Sequence, residues 1–82
     1  MALDYLALAG ADVIKADLDA RVKQFAREAY QHSLNLDNAT KVGNQELIDS
    51  SNVALASLDS AILATQDAIA TVVATDAEVP TV

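Results

Sequence analysis

Between Ile48 and Val72 the chain repeats one spacing without a slip. Ile48, Ser51, Leu55, Leu58, Ile62, Thr65, Ile69 and Val72 follow one another in alternating steps of three and four. Those steps put the eight side chains on one stripe of an α-helix, the a and d positions of a heptad seam. A strand could not do this, because its side chains change face at every residue. Leu47, Ala54, Ala61 and Ala68 form the adjacent column. Its small side chains would let a neighbouring backbone come close. The rest of the helix is not strongly polar. Val53, Ala56, Leu63, Ala64, Ala70 and Ala74 lie outside the stripe, and between Leu47 and Thr75 the only charges are Asp49, Asp59 and Asp67. About a quarter of the residues in an average domain are charged. A helix this undercharged predicts cover on more than one side.

The first half carries a second row. Leu18, Val22, Phe25, Ala29, His32 and Leu36 recur in steps of four and three, and residues 4–34 contain one glycine and no proline. Arg21, Lys23, Arg27, Glu28 and Gln31 lie away from the row. Upstream, "YLALAGADVI" is apolar nearly all round, which also predicts cover on several sides.

What joins the rows is decided in "NATKVGNQEL", residues 38–47. Lys41 suits the last turn of a helix, facing its negative end. Gly43 suits the left-handed position that ends a helix. Asn44 suits an N-cap, with Glu46 in the following first turn. These signals predict a turn near Gly43-Asn44. Two alternatives stay open on sequence alone. The first row can be extended through Ala39 and Gly43 as one continuous long helix, since an interior glycine costs only about 1 kcal/mol. The polar "NLDN" at 35–38 is a second place to break, because Asn and Asp side chains compete for backbone hydrogen bonds. After Thr75 the periodicity stops, and Pro80 disfavours helix at Val79.

Charge and composition exclude several functions. The net charge is −7 over 82 residues. Residues 1–41 hold five basic and six acidic side chains, and residues 42–82 hold six acidic and no basic ones. A nucleic-acid partner is not expected, since phosphate binding needs a basic surface. Arg21, Lys23 and Arg27 are the one concentration of positive charge. They are candidates for pairing with the acidic half, including Asp49, Asp59 and Asp67, in the same chain or in a neighbour. These three aspartates, if buried among apolar side chains without a partner, would also be candidates for a pH switch, because burial disfavours the charged form. "MALDYLALAG" lacks the positive n-region of a signal peptide. No stretch of about 20 residues is free of charge, the nearest, 53–75, being interrupted by Asp59 and Asp67. A cytoplasmic location is the expectation, and membrane contact is not favoured.

Catalytic chemistry finds little to work with. There is no cysteine and one histidine, so no zinc site within one chain is expected. His32 and Ser33 are adjacent, and neighbours on a helix point in different directions, which does not make a nucleophile–base pair. His32 reads as a seam residue. No phosphate loop or EF-hand spacing is present. "DSS" at 49–51 and "DSA" at 59–61 lie inside the heptad segment and not at a loop–helix junction as in acyl carrier proteins. No cofactor and no enzymatic activity are expected.

"AYQHSLNLDNATKVGNQELIDSSNVA", residues 29–54, resembles the centre of the RebB or killing-trait family. The likeness lies in Tyr30-Gln31 followed by small residues, then Asn38-Ala39, then Asn44-Gln45, then a helix of small residues. Proteins of that family build R-bodies, ribbons rolled up inside bacteria. The resemblance implies a polymer of copies and an acid-triggered unrolling of the ribbon.

The sequence thus predicts an all-α chain, a single domain over 1–82. Helix 1 is expected over about 4–42, helix 2 over about 45–75 and a tail over 76–82, with the helices forming a long antiparallel hairpin. The expected function is structural, a self-assembling subunit of a filament or ribbon whose partners are copies of itself. Its self-association residues would be Leu18, Val22, Phe25, Ile48, Leu55, Leu58, Ile62, Ile69 and Val72. Two other functions fit the same helices: a discrete bundle or dimer serving as a binding or adaptor module, and a small membrane-active helical protein.

Overall fold

A computed structural model of the chain describes residues 3–78. All of its regular structure is helical: α1 spans Tyr5–Ala9, α2 Ala11–Val42 and α3 Gln45–Glu78. The two long helices pack along each other. Only Gly43 and Asn44 separate them, so they run in opposite senses. The chain measures 63 × 23 × 16 Å. With a helix about 10–12 Å across, that is two helices wide and barely more than one thick. The radius of gyration is 18.0 Å, against about 12 Å for a compact domain of this length.

The turn is built by the residues that predicted it. Gly43 takes φ 73° and ψ 29°, the left-handed region in which a β-carbon would be strained. This lets the chain fold back over its own last turn. The Gly43 N–H donates to the Thr40 carbonyl at 3.3 Å, and the Asn44 N–H donates to the Ala39 carbonyl at 2.9 Å. That pair of bonds is a Schellman motif and satisfies carbonyls that the ended helix leaves without partners. Asn44 then caps α3, its Oδ1 accepting from the Leu47 N–H at 3.2 Å. Lys41 lies in the last turn of α2, 2.9 Å from Asp37, and Glu46 lies in the first turn of α3. One continuous helix is therefore not what forms. Nor does "NLDN" break the helix: residues 35–38 stay in α2, with Asp37 held on the helix surface by Lys41.

Two boundaries differ from expectation. Helix 1 does not run from residue 4, because Gly10 takes φ 95° and ψ 136° and divides it. An extended ψ at a positive φ is open to glycine alone. The five-residue α1 is started by Asp4, whose side chain accepts from the Ala7 N–H at 3.1 Å. At the other end α3 continues through Glu78, into the segment expected to be tail. Loss of apolar periodicity removed the reason to expect a packed helix there, but no breaker occurs before Pro80. The remaining tail, residues 79–82, lies outside the described residues.

The two sequence rows meet in the packing. Every member of the first, Leu18 to Leu36, is half-buried, and every member of the second is half-buried or, at Ser51, buried. Ala39 and Ser51, at 0% and 3% exposure, sit near the turn, where small side chains let the backbones approach. They are the two buried residues among those described, and no large side chain is fully buried. Two helices touching along one stripe cannot enclose a core.

Candidate functional site

The nine apolar residues expected to associate between chains already line the contact between the chain's own helices. Leu18, Val22, Phe25, Ile48, Leu55, Leu58, Ile62, Ile69 and Val72 are all half-buried in the single chain. The reason is the turn. Once Gly43 reverses the chain, the nearest cover for each seam is the other seam, joined at no translational cost. What remains for contact with anything else is the uncovered half of these side chains and the outward face of each helix.

Those outward faces are unlike. On α3, Val53, Ser57, Ser60, Ala64, Asp67 and Thr71 form a row in steps of four and three, and all are exposed. Leu63 flanks that row at 66% exposure, and Val53 within it is 71% exposed. Along this side of a helix of more than 30 residues, Asp49 and Asp67 are the only charges among residues 47–75. On α2, the matching outward row is Ala20, Gln24, Arg27, Gln31, Leu34 and Asn38, again all exposed. Its side chains are longer, and Lys23 stands beside it. Ala20, Lys23, Gln24, Arg27, Glu28 and Gln31 line a shallow open groove on this face.

The charged candidates do not meet within the chain. Among the described residues the ion pairs are Lys15–Asp19 at 3.7 Å and Lys41–Asp37 at 2.9 Å, both within α2. Arg21, Lys23 and Arg27 reach none of Asp49, Asp59 or Asp67, and all six side chains are exposed. Geometry explains the separation. Lys23 and Arg27 point away from α3, and Asp49 and Asp67 point away from α2, so the width of both helices lies between them. The Asp49 carboxylate instead accepts a hydrogen bond from Gln45 Nε2 at 2.8 Å, one turn back along α3.

The residues weighed for catalysis are occupied by the helix itself. The Ser33 hydroxyl donates to the Tyr30 carbonyl at 2.7 Å, and His32 is half-buried in the α2 seam row. Among the described residues no group of three His, Asp or Glu is placed to hold a metal ion.

Sequence reasoning undervalued one property of α3. Asp59 and Asp67 argued against a membrane span, yet residues 45–75 form a helix long and apolar enough to cross a membrane by length and composition. That uninterrupted stretch of 31 residues holds four acids, Glu46, Asp49, Asp59 and Asp67, and is still apolar enough over an 18-residue run. The signal was present in the alanine and leucine content around the acids. No protein-family model, curated protein or solved structure matches this chain.

Proposed function

We propose that the protein is a structural subunit that associates side by side with copies of itself. One observation carries the proposal: the outward face of α3 is built of small side chains, nearly uncharged and bare, with Val53 and Leu63 exposed on it. The chain exposes 6214 Å², whereas a compact monomer of 8.6 kDa exposes about 4,700 Å². A stable interface takes roughly 800 Å² from each partner, and this chain has surface of that order in excess. Each exposed valine or leucine covered by a neighbour would contribute about 1.5–3 kcal/mol before ordering costs. The assembled form in this proposal is an extended ribbon or filament, the shape implied by the likeness to the R-body family. Sedimentation over a hundredfold concentration range, with electron microscopy of the largest species, tests it. Growth of mass with concentration supports the proposal, and a concentration-independent monomer removes it.

A second reading has the composition of α3 in its favour: the helix could lie on or in a lipid bilayer. Asp59 and Asp67 each oppose deep insertion by about 2.5–3.5 kcal/mol at mid-bilayer. Flotation with neutral lipid vesicles separates the two readings. Protein that floats at low concentration, without forming polymer in buffer, favours the membrane.

A further inference from the structure

We infer that the copies join through unlike faces, the outward face of α3 in one copy seating on the outward face of α2 in the next. This deepens the proposed self-assembly and rests on it. Charge is the first argument. All six charged residues of α3 are acidic, so a contact between two α3 faces would bring only negative charges together. A two-fold contact between two α2 faces centred on the groove would bring Lys23 and Arg27 against the same pair, with Glu28 the one acid lining it. The unlike contact is the one that places Asp67 opposite positive charge.

Level is the second argument. Residues equidistant from the Gly43-Asn44 turn lie level in a tight helical hairpin. By that rule Asp67 is level with Ala20, Ser60 with Arg27 and Val53 with Leu34. Copies translated side by side keep the same levels, since α3 of one then runs antiparallel to α2 of the next. Asp67 then comes within a turn of Lys23, Arg27 faces a hydroxyl, and two exposed apolar side chains, Val53 and Leu34, meet. Shape agrees: long side chains on α2 face small ones on α3. The arrangement also gives a use to Lys23 and Arg27, which pair with nothing within the chain among the described residues.

The two faces point in opposite directions from the shared seam. A contact between opposite, unlike faces does not close on itself but repeats by translation. The product is a ribbon one helix thick in which α2 and α3 alternate.

The test uses single cysteines, since the chain has none of its own. Gln24→Cys places a thiol on the outward face of α2, and Ala64→Cys one on that of α3. The variants are treated with a short bismaleimide separately and mixed, after sedimentation has shown that each assembles as the wild type does. The inference expects covalent dimers in the mixture and almost none in either variant alone. Dimers in Ala64→Cys alone, or in Gln24→Cys alone, would mean like faces meet, which overturns the inference and leaves self-assembly standing. A wild type that stays monomeric removes the assembly proposal and this inference with it. As an independent arm, Lys23→Asp and Asp67→Lys should each lower assembly at least tenfold, and the double variant should recover most of it. Failure of the double variant to recover, with helicity unchanged, also counts against the inference.

Discussion

Helices α2 and α3 have nearly the same length, 32 and 34 residues, and share one seam. Their remaining surfaces have opposite characters. Helix α2 carries five basic and five acidic residues and sums to zero, whereas α3 carries six acidic residues and no basic one. The outward face of α2 is what solvent tolerates: charged, long-chained and mixed in sign. The outward face of α3 is short-chained and carries few charges, with Val53 and Leu63 exposed on it. Packing within the chain does not explain the difference, because both helices give one stripe to the same contact. An interior face and an interaction face are thus two separate demands on a helix. Only α3 meets both.

The comparison can be broken most forcefully at the seam. Leu58→Asp or Ile62→Lys puts a charge into the contact between α2 and α3, and should cost on the order of 3 kcal/mol. Circular dichroism during thermal unfolding should show a much lower midpoint for either variant. An unchanged midpoint would mean that this stripe does not hold the helices together. On the outward face the effect should move from folding to association. Leu63→Glu is expected to keep helicity and to weaken assembly by about 2 kcal/mol, roughly thirtyfold. Gln24→Asn keeps the outward face of α2 polar and uncharged at that position and should change assembly much less. Equal losses in sedimentation for the two substitutions would erase the contrast between the helices.

Smaller effects are expected at the turn. The space around Gly43 is open, so Gly43→Ala meets no clash, but its φ of 73° is strained for any residue with a β-carbon. The cost should be about 1–2 kcal/mol in denaturant unfolding. Asn44→Ala removes the cap on the Leu47 N–H and should cost about 1 kcal/mol by the same measurement. The smallest effect concerns pH. Each copy carries a net charge of −7, so an assembly crowds negative charge and binds protons more readily than the free chain. Assembly should therefore strengthen as pH falls and weaken as it rises, with the single Asp67–Lys23 contact opposing that trend. Ordinary carboxylates near pH 4 stay mostly ionised down to pH 5, so the gain between pH 7 and 5 should be below about 1 kcal/mol. Sedimentation at the two values measures it. A reorganisation of the assembly over that range would point to carboxylates buried between copies, with Asp67→Asn as the variant to separate.

The helices and their reversal were legible in the residues because both are governed by local rules. The spacing from Ile48 to Val72 needs no partner to define a stripe. Gly43, Asn44, Lys41 and Glu46 each favour a helix end for a reason contained within one turn of chain. The break at Gly10 was missed by the same kind of reasoning. Nothing in "LALAGADV" caps the second helix by side chain, and the divided conformation depends on an extended ψ that glycine permits but does not require. The candidate site was legible by composition, as an undercharged second helix, but not by position. Periodicity marks a stripe that wants cover without saying which surface supplies it.

The sequence by itself determined that the chain is helical, where its main turn falls, and that its second helix has more apolar surface than one contact can cover. Those properties follow from intrinsic propensity, spacing and charge count, which act over a few residues. The tertiary structure decided which surface each stripe meets. Intramolecular pairing of the seams avoids the entropy of bringing separate chains together, so the most regular apolar rows are taken up within the chain. It also set Lys23 and Arg27 on one side of the molecule and Asp67 on the other, more than a helix diameter apart. That separation cannot be counted along the sequence, because it exists only once the chain has turned back at Gly43.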